Sequence, residues 1–534
     1  MKTHALILIV LVLCVNASKS QNPQILWWYD VNDRCVGQTA MADLNNNGYK
    51  DFVFGCYRND SMVYALSGAD GSLLWQYNTS GWQEGCNDAA PLIYDIDGNG
   101  HKDVFIASSC HPVAYLFDGA TGAVKWQTNT AGRGSDSPPV IADIDGDGAL
   151  EIIFGQMGGW VMCLNAHDGQ IKWNFAVDTD SWIQTAPTLV DLTGNGKLDF
   201  VVATWHFNND SNKVYAFKGE DQSLLWSLPI QRHTYHGTAV ADLNKNGEPE
   251  LIIGDYSGRL YVINGRTGAL LWTYDAGGYI GAPAVVGDIT NDGNCEIIFT
   301  AGYNVVALKN DGSLLWQYTL PNFQQAFRGV VLSDIDNDGV PDVILGASKG
   351  DLIALKGSNG QLMWSLDLAQ HYGDTFSIST APVIGDFNNN GFLDAFVVGG
   401  KTRYPNFQNN YGRAYAVQIG SGSGPDWPMF QFDVFRRSSF CLPYSTNVSN
   451  KEKKNCKLFN VFPNPATTGQ TLQLAFYEAP SSHKVAIYDM TGRRIYENET
   501  SASLLNVELN VSPAVYFVKV ISKNKSESKK IVIH

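Results

Sequence analysis

One nine-residue acidic turn recurs eight times along this chain, starting at Asp43, Asp95, Asp143, Asp191, Asp242, Asp288, Asp334 and Asp386. Each copy has an acid at position 1, Asp, Asn or Thr at 3, Asn or Asp at 5, Gly at 6 and an acid at 9. Oxygen-bearing side chains at alternate positions, bent around a glycine, can wrap a hard cation such as calcium. A calcium loop of the helical EF-hand kind closes with Glu at position 12. Here the closing acid comes at 9 and opens an apolar run such as Asp51-Phe-Val-Phe-Gly or Glu151-Ile-Ile-Phe-Gly. Strand-like residues precede each turn as well, so every copy reads as the tip of a β-hairpin.

The candidate ligands follow position by position. They are Asp43, Asn45, Asn47 and Asp51; Asp95, Asp97, Asn99 and Asp103; Asp143, Asp145, Asp147 and Glu151; Asp191, Thr193, Asn195 and Asp199. The second half of the chain adds Asp242, Asn244, Asn246 and Glu250; Asp288, Thr290, Asp292 and Glu296; Asp334, Asp336, Asp338 and Asp342; Asp386, Asn388, Asn390 and Asp394. Up to eight structural calcium ions are expected. The all-carboxylate loops at Asp143 and Asp334 look strongest, and the Thr193 and Thr290 loops weaker.

Two further strands complete the repeat. A short run such as Val63-Tyr-Ala-Leu or Val214-Tyr-Ala-Phe comes third, and a fourth ends at Trp75, Trp126, Trp173, Trp226, Trp272, Trp316 or Trp364. Four short strands per unit of this length describe a β-propeller blade. The eighth repeat lacks a Trp strand, while Ile25-Leu-Trp-Trp-Tyr29 stands unclaimed ahead of the first. The sequence therefore predicts an all-β, eight-bladed propeller over residues 22–435, closed by its N-terminal strand.

The acidic loops resemble the FG-GAP repeats of integrin-α-type propellers. Runs such as Tyr64-Ala-Leu-Ser-Gly-Ala-Asp-Gly-Ser-Leu-Leu-Trp75 resemble the Trp-docking motif of quinoprotein-like eight-bladed propellers. These resemblances imply a fold, which can host many activities. Quinoprotein dehydrogenases are associated with an adjacent pair of cysteines, which this chain lacks. Eight-bladed rhamnogalacturonan lyases share the fold and carry calcium, so a calcium-dependent polysaccharide lyase is the alternative to a binding module.

Residues 1–20 read as a secretory signal peptide, and no other stretch is long and apolar enough to span a membrane. In an oxidising compartment cysteines pair. Cys35–Cys56 and Cys86–Cys110 each flank one hairpin, with Cys35–Cys86 as the alternative, and Cys441–Cys456 brackets a polar linker. Cys163 and Cys295 are expected to stay as buried thiols. The formal charge of −15 is concentrated in the acidic loops, where bound cations would offset it, and no basic stripe suggests nucleic-acid binding.

After a linker at 436–456, residues 457–534 alternate as a small β-sandwich. This segment resembles the type A C-terminal sorting domain of the type IX secretion system, through Phe462-Pro-Asn-Pro465, Ile487-Tyr-Asp-Met-Thr-Gly-Arg493, Ala514-Val-Tyr-Phe-Val-Lys519 and Lys529-Lys-Ile-Val-Ile. Ala514 departs from the usual Gly. The resemblance implies a Gram-negative bacterium of the Bacteroidota type, passage through the periplasm, and release or attachment at the outer cell surface.

Strand order puts the acidic loops and the turns before the Trp strands on one rim of the ring, and the other connections on the far rim. There Trp205, His206, His233, His236, Tyr256, Arg328 and Lys349 are the candidate ligand-binding residues, of types suited to an extracellular glycan or protein. His206, His233, His236, Arg328 and Lys349 would also supply any lyase chemistry. The expected function is a secreted or surface-held binding or adhesion module.

Overall fold

The computed structural model describes residues 22–206, 211–403, 405–422 and 424–442, and most strands between 459 and 533. The signal peptide, Cys456, the Pro463–Pro465 motif and most of the expected linker lie outside the described residues. The chain divides into two units, residues 1–448 and 449–534.

The first unit repeats one antiparallel sheet. Its first copy is built from Thr39–Ala42, Asp51–Gly55, Met62–Leu66 and Leu73–Asn78, paired in that order. Among the described residues six more four-stranded sheets follow, and then a last one in which Leu393–Lys401 and Tyr411–Gly420 pair with Gln24–Val31. The N-terminal strand thus finishes the last sheet. The second strand of each sheet is buried on both faces, because neighbouring sheets sandwich it. In the first sheet, Phe52 and Phe54 pack toward Phe387 and Phe396 of the last sheet, while Val53 packs toward Val104 and Ile106 of the second. The fourth strand is half-exposed and lies outermost.

The tryptophans join one sheet to the next. Trp75 Nε1 donates to the Gly119 carbonyl at 2.7 Å, Trp126 to Ala166 at 3.0 Å, Trp226 to Gly265 at 2.8 Å and Trp316 to Gly357 at 2.7 Å. Trp27 makes the same bond to Gly68 of the first sheet, at 3.2 Å. Phe52 stacks on Phe396 at 4.0 Å across the same junction. First and last sheets therefore meet as any two neighbours do.

Residues 424–442 form an inner belt that visits the sheets in ring order. Gly424 O accepts from Asp334 N, Trp427 pairs both ways with Ile384, and Pro428 O accepts from Met41 N. Val434, Phe435, Arg437 and Ser438 then accept from Ile141, Leu189, Val240 and Val286. Arg436 is fully buried; its guanidinium donates to the carbonyls of Phe430, Pro139 and Pro91, the last leading into the second sheet. Residues 436–442, expected as linker, are thus part of the core.

Disulfides join Cys35 to Cys56 and Cys86 to Cys110. The expected Cys441–Cys456 pairing is corrected: Cys441 bonds Cys295, with Cα atoms 6.4 Å apart, because the belt carries Cys441 back against the sixth sheet. Cys163 stays a buried free thiol.

The second unit is a small β-sandwich. One sheet orders Phe459–Phe462, Thr471–Phe476 and Leu504–Glu508; the other orders Arg494–Thr500, His483–Asp489, Ala514–Ser522 and Lys525–Ile533. Leu472, Leu474 and Val507 of the first share one core with Val485, Ile487, Val518 and Ile531 of the second. No helix among the described residues is long and apolar enough to cross a membrane.

Replacing Arg436 with Ala leaves three buried carbonyls without a donor, so Arg436→Ala is expected to cost about 3 kcal/mol or more in a denaturant titration.

Candidate binding rim and acidic loops

The acidic loops brace themselves before any ion is considered. The first acid accepts from backbone amides, as when Asp43 takes Asn47 N at 3.0 Å and Gly48 N at 2.8 Å. The closing acid turns one oxygen to the position-2 amide, as in Leu44 N to Asp51 at 3.0 Å and Phe387 N to Asp394 at 3.1 Å. The position-6 glycines all have φ between +83° and +90°, which a side chain would strain. Asp51 and Asp394 are fully buried, and each keeps one carboxylate oxygen with no protein partner. Burial pushes Asp51 up to about 6, and Glu296 and Asp394 up to about 7. Buried, part-satisfied carboxylates of this kind fit a hard cation.

Three loops differ. Lys172 Nζ lies 2.6 Å from Asp145, 2.9 Å from Asp147 and 2.8 Å from Glu151. Lys356 Nζ lies 2.8 Å from Asp336, 2.7 Å from Asp338 and 3.5 Å from Asp342, and Lys125 lies 3.0 Å from Asp97 and 2.9 Å from Asp103. Burial alone lowers the Lys172 ammonium, but hydrogen bonds to Asp145, Glu151 and Asp147 outweigh it and raise it. The two loops richest in carboxylate are therefore already supplied with a positive charge. Their acids do converge: ligand atoms of Asp143, Asp145 and Glu151, and of Asp334, Asp336 and Asp342, all lie within 4.8 Å of one another.

On the far rim, five of the expected ligand residues fall into two touching groups. Trp205 stacks on His233 at 4.0 Å, His233 lies 4.6 Å from Tyr256, and Tyr256 stacks on Tyr279 at 5.4 Å. Arg328 Nη1 lies 3.1 Å from His236 Nε2, and its Nη2 donates to the Val36 carbonyl at 2.6 Å. Because a guanidinium only donates, His236 Nε2 accepts, and the ring proton sits on Nδ1, which has no protein partner. Burial, then Arg328, holds His236 well below its ordinary pKa. Tyr235 ties the groups together, edge-on to Trp205 at 5.4 Å and under the Arg328 guanidinium at 5.1 Å. Two expected residues lie apart from them. His206 offers a ring nitrogen within 4.8 Å of the Asp178 and Asp180 carboxylates, and Lys349 Nζ donates to the Asn322 carbonyl at 2.6 Å.

Sequence reasoning missed the residues nearest the axis. Asp88, Asp136, Gln184 and Tyr235 each stand seven positions before the first acid of a loop, the step at which a chain enters its innermost strand. Counting back from the eight loops would have found them. Gln184 Nε2 donates to Asp136 at 2.7 Å, and the Ser109 hydroxyl lies 3.2 Å from the Cys86 carbonyl and 3.4 Å from Asp88. Burial, then the charge of Asp136, raises Asp88; burial raises Asp136. Arg34 and Arg328 act against this rise in Asp88. Asp88 Oδ1, Asp136 Oδ1 and Gln184 Oε1 are buried acceptors without a protein partner, and Gln38 Nε2 is a donor without one. Phe430 of the belt lies 5.2 Å from the His236 ring. From Ser109 an open cleft of about 400 Å³ runs outward between Trp82, Pro112, Arg133 and Met157.

Asp136→Asn removes the neighbouring charge and is expected to lower the Asp88 carboxyl toward, though not to, its ordinary value; a carboxyl ¹³C titration reads this directly.

The fold has known relatives. Saccharomyces cerevisiae Sqt1 is similar with a TM-score of 0.54 at 12% identity, over 75% of this chain and 100% of that one. Quinohemoprotein alcohol dehydrogenases from Pseudomonas putida (TM-score 0.51, 13% identity, 75% of this chain and 77% of that) and Comamonas testosteroni (0.51, 12%, 77% and 78%) are similar as well. Such identities speak to the fold alone. No curated protein matches the sequence. The family described as outer membrane protein assembly factor BamB matches residues 113–274 and 210–429, and the secretion system C-terminal sorting domain matches 460–534. With more than half its length matched, the chain belongs to the BamB family of β-propellers and ends in a secretion sorting domain.

Proposed function

We propose that this chain is a secreted or surface-held, eight-bladed, calcium-stabilised propeller that binds glycans on its far rim. The carrying observation is the part-exposed aromatic row of Trp205, His233, Tyr256 and Tyr279 on the far rim. Sugars offer C–H faces to such rings. The sorting domain implies export by the type IX secretion machinery. A binding module rather than an enzyme is the reading taken, and the FG-GAP likeness of the loops goes with it.

Calcium belongs to the loops at Asp43, Asp191, Asp242, Asp288 and Asp386, where no lysine sits among the ligand-position carboxylates of the described residues. Bound there, it would neutralise the buried closing acids Asp51, Asp199, Glu250, Glu296 and Asp394.

Two measurements test this. Calcium titrated into chelated protein is expected to bind at about five sites and to raise the melting temperature, and Lys172→Met to add about one site; a melt indifferent to chelator would remove calcium from the account. On a glycan array the full chain is expected to give signal that Trp205→Ala and Tyr256→Ala weaken. Binding to protein alone, or release of unsaturated uronic products, would replace the reading.

A further inference from the structure

We propose that the far-rim cleft at Arg133 and Trp82 is a binding site for a uronate residue of an acidic glycan, its carboxylate on Arg133 and its ring against Trp82. This rests on the glycan reading and adds to it a second site on the same rim and the charge of its ligand.

Four far-rim connections build the cleft. Two lead into the second and third sheets and carry Trp82 and Arg133; two lie inside those sheets, between second and third strands, and carry Pro112 and Met157. The walls are fixed before any ligand arrives. The Cys86–Cys110 disulfide and the bond from Ser109 N to the Cys86 carbonyl at 2.8 Å hold one wall. Thr130 Oγ1 donates to the Arg133 carbonyl at 2.6 Å and Met157 N to the Gly134 carbonyl at 3.0 Å, which hold the other. The walls meet at Gly134, where a Cβ would fall 1.8 Å from the Ser109 carbonyl oxygen. Beyond that contact the cleft opens to about 400 Å³, at the small end for ligand pockets and enough for a short oligosaccharide.

The charge of the ligand follows from the lining. Arg133 is the one charged residue among the described ones that line the cleft. Its guanidinium sits 4.1 Å from the centre of the Trp160 ring and pairs with none of the described carboxylates. Its one hydrogen bond, from Nη1 to the Ala131 carbonyl, is long at 3.5 Å, so most of its N–H donors are unspent. Glu84, next to the lining residue Gln83, already faces Arg58 at 3.9 Å. Behind Ser109, burial raises both Asp88 and Asp136, which lessens the negative charge they present to the cleft. A cation without an anion, in a chain of net charge −15, marks the place for an anion from outside.

The geometry selects a carboxylate carried on a sugar. A carboxylate meets a guanidinium with two parallel, charge-assisted hydrogen bonds. A uronate holds that group directly on a ring whose C–H face suits Trp82, which is 72% exposed and edge-on to His111 at 5.9 Å. An acidic peptide would need an extended edge to pair with its backbone, and the cleft offers turns instead, with Gly132 and Gly158 at φ +76° and +77°. A neutral sugar would leave the guanidinium charge unmet.

The test uses the full chain with trisaccharides of galacturonate, glucuronate and mannuronate and their carboxyl-reduced counterparts, read by calorimetry at one fixed calcium concentration. For a series that binds, the uronate is expected to bind about ten-fold or more tighter than its reduced counterpart, and added salt to narrow the gap. Arg133→Gln is expected to close the gap with an unchanged melting temperature, and Arg133→Lys, which keeps the charge but loses the fork, to retain part of it. Trp82→Ala should weaken the uronate trimer. Equal affinity for the two trimers, or a preference that survives Arg133→Gln, overturns the cleft site; neutral glycans that still bind through Trp205 then leave the rim reading intact. Tighter binding of a sulfated trimer or of an oligoglutamate peptide overturns the uronate. Failure of every saccharide overturns both readings.

Discussion

Every sheet in the ring ends toward the axis in a strand with one unpaired edge, and the fold depends on how those edges are satisfied. A free edge buried at the centre would leave amides and carbonyls without partners, and the same edge left open to solvent would invite foreign strands. The belt resolves this by offering a carbonyl to Met41, Ile141, Leu189, Val240, Val286, Asp334 and Ile384 in turn, while Arg436 takes up carbonyls from two neighbouring entries. One side chain and one looped segment thus do for the centre what the tryptophans do for the outer wall.

The outer wall was legible because it is periodic. Trp27 could be assigned to the last sheet from the count of motifs alone, and its bond to Gly68 repeats the one that Trp75 makes to Gly119. The belt has no period to read. Its pairing is with residues tens to hundreds of positions away, and Arg436 fell in the stretch expected as linker although it is fully buried. Cys441 was matched to the wrong partner for the same reason, since proximity in sequence says nothing once a segment turns inward. The far-rim residues lie between these cases. Trp205, His233 and Tyr256 announced themselves as aromatic or imidazole side chains in long connections. Asp88 and Gln184 needed a structural register, counted from the loops, that composition does not display.

The loops show how one scaffold can carry different electrostatics. The backbone of the turn is the same in all copies, with its left-handed glycine and its first acid spent on amides. What varies is whether the neighbouring strand carries a lysine, as at Lys125 and Lys172, or a leucine, as at Leu74 and Leu225. A carboxylate count alone therefore ranks the loops by their negative charge and overlooks where the positive charge comes from.

The order of pieces along the chain has a consequence for how it is made. The strand at 24–31 must wait for 411–420, and the belt that seals the centre comes later still, at 424–442. Until synthesis passes that point the growing polypeptide is an arc with two exposed flanks and an uncovered middle, and contacts this distant in sequence assemble slowly. Completion is then a late, concerted event, and prematurely ended copies are left with adhesive margins of the kind that quality-control proteases and chaperones engage.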